Sequence, residues 1–161
     1  MNEVLDILNN TKFPKNKNRK NVSDGILECF ALGLVPYRGQ YFCDYKTSGV
    51  SRFNKKYPLL YDKLRELIKI NDPSFNYTTI QVNKNIVCNP HTDKNNIGLS
   101  YIIGLGDYEG GNLMIEENEY DVKNKFLLFD GKKTHYNKSF IGDRYSVIYF
   151  THSLNCIHKN K

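Results

Sequence analysis

Thr78-Thr79-Ile80-Gln81-Val82-Asn83-Lys84-Asn85-Ile86-Val87-Cys88-Asn89-Pro90-His91-Thr92-Asp93 is the stretch on which the reading of this chain turns. Residues 78–83 alternate between apolar and polar, which marks a strand with one buried face. Asn85 to Pro90 reads as a short loop. On extended chain a His and an Asp two positions apart project to the same side. His91 and Asp93 therefore reach one point in space. Only His135, His152 and His158 follow them as histidine partners, and His158 lies in a basic tail. His135 comes after Phe126-Leu127-Leu128-Phe129, a buried-looking strand, and after an Asp130-Gly131 turn. Arg144 opens the next extended run, Arg144-Tyr145-Ser146-Val147-Ile148-Tyr149-Phe150.

Two His and one carboxylate make the facial triad of non-haem Fe(II) sites, which leaves positions on the metal open. An Arg beyond them suits the bidentate capture of a carboxylate. His-x-Asp alone is a common pairing of a loop His with a solvated acid. The ordered set carries the reading: His-x-Asp at a strand end, a long β-patterned stretch, His135, then Arg144-x-Ser146.

The chain has 161 residues, enough for one domain with a substantial core. Hydrophobic content is 40%, and the 13% aromatic share is Tyr and Phe without Trp, a globular composition. No apolar run approaches the length of a membrane span. Met1-Asn2-Glu3-Val4-Leu5-Asp6 is acidic where a signal peptide is basic. An intracellular protein is expected, nuclear, or cytoplasmic if the source is prokaryotic or viral. Cys29, Cys43, Cys88 and Cys156 lack CxxC spacing, which argues against structural zinc and for reduced thiols.

Net charge is +6, unevenly spread. Asp107, Glu109, Glu116, Glu117, Glu119 and Asp121 form an acidic segment without a base. Lys12 to Lys20 holds five bases and no acid. Such asymmetry suits a polyanion on one side of the molecule, with the acidic segment turned away from it. Solvated lysines in an Asn-rich chain are the plain alternative.

Val4-Leu5-x-Ile7-Leu8 reads as one or two helical turns, and Asn9 to Asn21 as a basic loop. The apolar runs 27–35 and 41–45 read as a strand pair joined by a turn, with a helix as the competing reading of 26–32. Leu60, Leu64, Leu67 and Ile68 form one apolar stripe of a helix that starts at Pro58 and stops at Asn71-Asp72-Pro73. It should brace the outside of a sheet. Strands are expected near 77–83, 98–104, 112–116, 119–123, 125–129 and 144–151. Gly104 to Gly111 reads as a hairpin turn, since no helix follows to make a phosphate cradle. The fold expected is mainly β with flanking helices (α+β), around a double-stranded β-helix, or jelly roll. A single domain is expected over 1–161, with 1–72 as a helical and strand support region and 77–152 as the jelly-roll core.

Asn89-Pro90-His91-Thr92-Asp93, Gly110-Gly111-Asn112-Leu113, Asp130-Gly131 ahead of His135, and Arg144-Tyr145-Ser146 together resemble the Fe(II)/2-oxoglutarate dioxygenase superfamily. The resemblance covers Tyr77 to His152. Asn95-Asn96-x-Gly98-x-Ser100 and His152 further resemble the TET/JBP nucleobase hydroxylases, which place an Asn or Asp after the first iron His and a His after the 2-oxoglutarate Arg. The chain lacks that family's Cys-rich zinc-binding region and large inserts.

The resemblance implies that His91, Asp93 and His135 bind Fe(II). It implies that Arg144 and Ser146 receive the far carboxylate of 2-oxoglutarate, and that O2 is the second co-substrate. Asn96 and His152 would read a target base, 5-methylcytosine in DNA first among the choices. Tyr101, Gln81 and Asn83 are expected to face inward and complete the pocket. Lys12–Lys20 and Arg38 would hold phosphates, DNA being favoured over RNA, with Tyr37, Tyr41 and Phe42 available to stack on bases. A monomer is expected. Two other readings stand beside this one: a prolyl-type protein hydroxylase with the same iron site, and a non-catalytic nucleic-acid-binding jelly roll.

Overall fold

The computed structural model describes residues 1–35 and 49–153. The expected strand over 41–45, Arg38, Tyr37, Tyr41, Phe42, Cys43, Cys156 and His158 lie outside the described residues. Three helices and eleven strands are described: α1 (Asn2–Asn9), β1 (Lys15–Asn16), β2 (Leu27–Gly33), α2 (Phe53–Lys56), α3 (Pro58–Asn71), β3 (Thr79–Lys84), β4 (Asn96–Leu105), β5 (Tyr108–Gly110), β6 (Leu113–Ile115), β7 (Asn118–Tyr120), β8 (Leu127–Phe129), β9 (His135–Asn137), β10 (Phe140–Gly142) and β11 (Tyr145–His152).

A six-stranded antiparallel sheet runs β1-β2-β3-β11-β4-β8. Two small sheets of short strands, β7-β6-β9 and β10-β5, complete the β architecture. The fold is the expected jelly roll with flanking helices.

Alternation along each long strand divides the chain between two interiors. On β3 and β11, Ile80, Val82, Val147 and Tyr149 join Leu60, Leu64 and Ile68 of α3 in the larger core. The opposite faces carry Thr79, Gln81, Asn83, Ser146 and Ile148 into a cleft. A smaller core of Ile102, Leu113, Ile115, Val122 and Phe129 joins β4, β6 and β8. Helix α3 forms where its stripe requires, with Pro58 in the first turn. Asp72 ends it, its Oδ1 accepting from the Ser74 amide at 3.2 Å. The buried Tyr149 hydroxyl donates to the Leu64 carbonyl at 2.7 Å, which fastens helix to sheet.

The structure corrects two expectations. Tyr101 faces the helices rather than the cleft. Its hydroxyl donates to Asp72 Oδ2 at 3.0 Å, and its ring meets Phe75 and Phe126. The cause is register: Tyr101 pairs with Tyr149, and cross-strand partners share a face. Gly104 to Gly111 is not a hairpin turn either. β4 ends at Leu105, and β5 pairs with β10 instead of folding back on β4. Gly106, at φ +121, passes so close to the Asp143 carbonyl that a Cβ would lie 2.2 Å from it. The glycines serve this close approach. Leu27–Gly33 is a strand, which settles the ambiguity of that run.

Leu64 is wholly buried between α3 and the sheet. Leu64→Ala is expected to cost about 3 kcal/mol of stability through lost burial and a residual cavity. Chemical denaturation checks it; a loss below about 0.5 kcal/mol, the surface-substitution level, would mean that α3 does not brace the fold.

Candidate metal centre and cleft

Two backbone hydrogen bonds build the centre. The His91 amide donates to the His135 carbonyl at 3.1 Å, and the His135 amide returns the bond to His91 at 3.0 Å. His135 thus pairs twice, with Ile115 in the β6–β9 ladder and with His91 in this antiparallel bridge. The two rings come together with centroids 4.3 Å apart. Asp93 is brought in by a different bond, its amide donating to the Gly131 carbonyl at 2.8 Å. The expected Asp130-Gly131 turn therefore also positions a ligand. A Cβ at Gly131 would sit 3.2 Å from both Asp93 Oδ2 and Asn96 Nδ2.

One ligand atom from each of His91, Asp93 and His135 lies within 4.8 Å of the others. His135 Nε2 is 3.3 Å from Asp93 Oδ2, and His91 Nε2 is 3.9 Å from Asp93 Oδ1. Both imidazoles use Nδ1 in the same way. His91 Nδ1 is 2.6 Å from the Asn89 carbonyl, and His135 Nδ1 is 2.8 Å from the Lys133 carbonyl. A carbonyl accepts only, so each Nδ1 carries the proton and each Nε2 presents a lone pair. Two such nitrogens and a carboxylate are a complete donor set for a divalent cation with open positions. Burial, the largest influence, lowers His91 below the ordinary histidine value, and His135 nearby adds to this. Burial also acts to lower His135, but Asp93 and the Lys133 carbonyl outweigh it and raise that group.

Asn137, two residues beyond His135 on the same face, was not singled out in the sequence. It accepts from the Cys88 amide at 2.9 Å and donates to the Ile86 carbonyl at 3.1 Å. It thereby fixes the loop that delivers His91. Its period-two relation to His135 was the available signal.

Arg144 is 3% exposed, and its Nε and Nη2 have no hydrogen-bond acceptor. Burial lowers its ordinary value, with Tyr108 opposing, yet a guanidinium keeps its charge. A buried cation with unsatisfied donors is costly unless an anion meets it. Asn85, in the left-handed region at φ +52, holds the backbone by accepting from the Arg144 amide at 2.7 Å. Gly111, at φ +73, leaves room for the side chain; a Cβ there would lie 2.8 Å from Arg144 Nε.

Arg144 and Ser146 line one cleft of about 960 Å³ together with His91, Asp93 and His135. Asn96 and His152 line it too and are cross-strand partners in the β4–β11 register. Lys15, Lys17, Arg52 and Lys94 contribute to its wall. Among the described residues, none of the six acids of 107–121 does so. Of the residues expected in the site, Gln81 and Asn83 are in the cleft and Tyr101 is not.

The sequence matches no protein-family model and no curated protein. Solved structures do match. One is NgTET1 in complex with 5mC DNA, at 18% identity and a TM-score of 0.55 over 78% of this chain and 61% of that one. Another is an oxidoreductase of the 2OG-Fe(II) oxygenase family from Burkholderia pseudomallei, at 15% identity and 0.55 over 92% and 77%. The chain thus spans about three fifths of the NgTET1 chain. The likeness establishes the fold: this chain shares the jelly roll of 2OG-Fe(II) oxygenases.

His91→Ala, Asp93→Ala and His135→Ala are each expected to weaken Fe(II) binding by more than about a hundredfold, beyond the cost of losing an outer-shell partner. His152→Ala should retain the metal. Anaerobic metal analysis after gel filtration reads both, and wild-type iron content in the three ligand variants would discard the triad.

Proposed function

We propose that this chain is an Fe(II)- and 2-oxoglutarate-dependent dioxygenase that hydroxylates a methylated nucleobase, 5-methylcytosine in DNA being the first choice. The observation that carries the proposal is the joint placement of the His91–Asp93–His135 donor set and the unsatisfied Arg144 guanidinium in one cleft. Asn96 and His152, side by side on β4 and β11 in the lining of the same cleft, support the base as substrate. So does the likeness to a protein solved with 5mC DNA, although that likeness establishes only a fold.

When bound, Fe(II), 2-oxoglutarate and O2 supply the oxidising power to hydroxylate a C–H bond, with succinate and CO2 as co-products. The chain's own residues do the rest. His91, Asp93 and His135 hold the metal, their tautomers set by the Asn89 and Lys133 carbonyls. Arg144 receives the far carboxylate of the co-substrate through its planar fork, and Ser146 adds a hydroxyl donor. Ile102, Leu113, Phe129 and Ile148 line the interior and exclude water from the reacting atoms. Asn96 and His152 hydrogen-bond the edge of the base.

A base in duplex DNA must leave the stack to reach the metal. Lys15, Lys17, Arg52 and Lys94 pair with the flanking phosphates. Lys138 engages Glu119, at 2.5 Å, and Lys125 engages Asp121, at 3.2 Å. Part of the acidic segment is thereby neutralised locally, away from the cleft.

Arg144→Lys should raise the Michaelis constant for 2-oxoglutarate about tenfold or more while iron stays bound, because Lys keeps the charge and loses the fork. An unchanged constant would move the clamp to another residue. Asn96→Ala and His152→Ala should cut base oxidation roughly tenfold, the effect of an unpaired buried polar edge, while decarboxylation of 2-oxoglutarate continues. Succinate and oxidised base are measured side by side on methylated DNA, methylated RNA and a peptide library. Unchanged base oxidation in both variants removes the base-reading assignment. Turnover confined to peptides replaces the nucleobase by a protein substrate.

A further inference from the structure

Asn83 lies in the cleft, 3% exposed, at the centre of a polar chain. Its Oδ1 accepts from Arg19 Nη1 at 2.8 Å and from Gln81 Nε2 at 3.2 Å. Its Nδ2 donates to Ser146 Oγ at 3.0 Å. Two donors on one side fix the direction of the amide, since a reversed amide would turn its NH2 against a guanidinium and a second NH2. Ser146 Oγ is therefore an acceptor toward Asn83, and its one O–H remains to be donated elsewhere. No acceptor for that proton occurs among the described residues.

Arg144 immediately precedes β11, and Ser146 is the second residue of that strand, two positions on. Both residues line the cleft, and both are nearly buried. The hydroxyl donor and the unsatisfied guanidinium donors thus address one region. Removing Arg19 leaves the amide held by Gln81 alone. A reversed amide would then offer its oxygen to Ser146 and draw the hydroxyl proton away from that region.

Arg19 itself is well anchored. Its carbonyl accepts from the amides of Val22 and Ser23 at 3.0 and 3.1 Å. The Val22 carbonyl in turn accepts from the Asn89 amide at 2.8 Å, two residues before His91. A basic segment far from β11 in sequence is in this way tied both to the metal-ligand loop and to the Arg144 pocket.

We infer that Arg19 is a positioning residue for the co-substrate: through Asn83 it holds the Ser146 hydroxyl as a donor to the carboxylate that Arg144 pairs with. The inference rests on the reading of the Arg144 pocket as the 2-oxoglutarate site.

The test is calorimetric titration of 2-oxoglutarate into the full chain loaded with Mn(II), which prevents turnover. Arg19→Ala should weaken binding about three- to tenfold, less than the full loss of a charged hydrogen bond because it acts at one remove. Arg19→Lys keeps a donor for Asn83 and should recover most of the affinity. The double variant Arg19→Ala/Ser146→Ala should bind no more weakly than Ser146→Ala alone, the signature of one pathway. In turnover, Arg19→Ala should raise the Michaelis constant for 2-oxoglutarate with little change in kcat. Wild-type affinity in Arg19→Ala, or its full penalty persisting on top of Ser146→Ala, overturns the proposal. A fall in melting temperature with no change in affinity also overturns it, as a purely structural role. Arg144→Gln separates the two readings. If it too binds like wild type, the co-substrate site is misassigned; if it alone loses binding, only the role of Arg19 falls.

Discussion

The site depends on the reciprocal backbone pair between His91 and His135. Their ring nitrogens face one another because their amides and carbonyls already do. The entropy of closing the long intervening stretch is met by the β6–β9 and β4–β11 ladders, so a metal ion need not supply it. Each imidazole is then oriented by the same local device, an Nδ1 proton given to the carbonyl two residues before it. The Asp130-Gly131 turn adds the carboxylate. A cation entering such a site meets a prearranged donor set rather than a flexible loop.

Much of this was legible in the sequence because it depended on residue type and on period. His91-x-Asp93, His135 and Arg144-x-Ser146 each stand at a strand end or on an alternating run. The stripe of α3 likewise needed no knowledge of its partner. Facing was harder, because it is set by register, and register is a property of two strands. Tyr101 was expected inward, but its pairing with Tyr149 commits it to the helix side. Farther along the same ladder the register shifts, and His152 still meets Asn96 on the cleft side. The pairing of β5 with β10 was hidden for a related reason: three-residue strands carry too few positions to display alternation. Asn85 and Asn137 carry no distinguishing signal in their residue type, since Asn in a loop or at a strand end is ordinarily a turn residue. Their structural work is done by side-chain amides standing in for backbone.

The charge pattern of the sequence becomes a spatial one. Cations from the N-terminal segment, from the start of α2 and from the loop after Asp93 gather at one cleft, where Asp93 is the only acid among the described residues. The low-dielectric walls on which Arg144 rests make an anion there more strongly held than at the open surface. The same arrangement that suits a dicarboxylate inside suits phosphates outside.

The atoms nearest to a side chain placed at Gly111 belong to Arg144 and Phe140, not to His91, Asp93, His135, Asn96 or His152. The Gly111 backbone lies at φ +73, and the space where a side chain would begin is occupied by Arg144. Fitness at this position is accordingly governed by a neighbour's chemistry, and its substitution profile would mimic that of a ligand. Anyone transplanting the donor set onto another jelly roll would have to carry this glycine along, or the guanidinium would be aimed elsewhere.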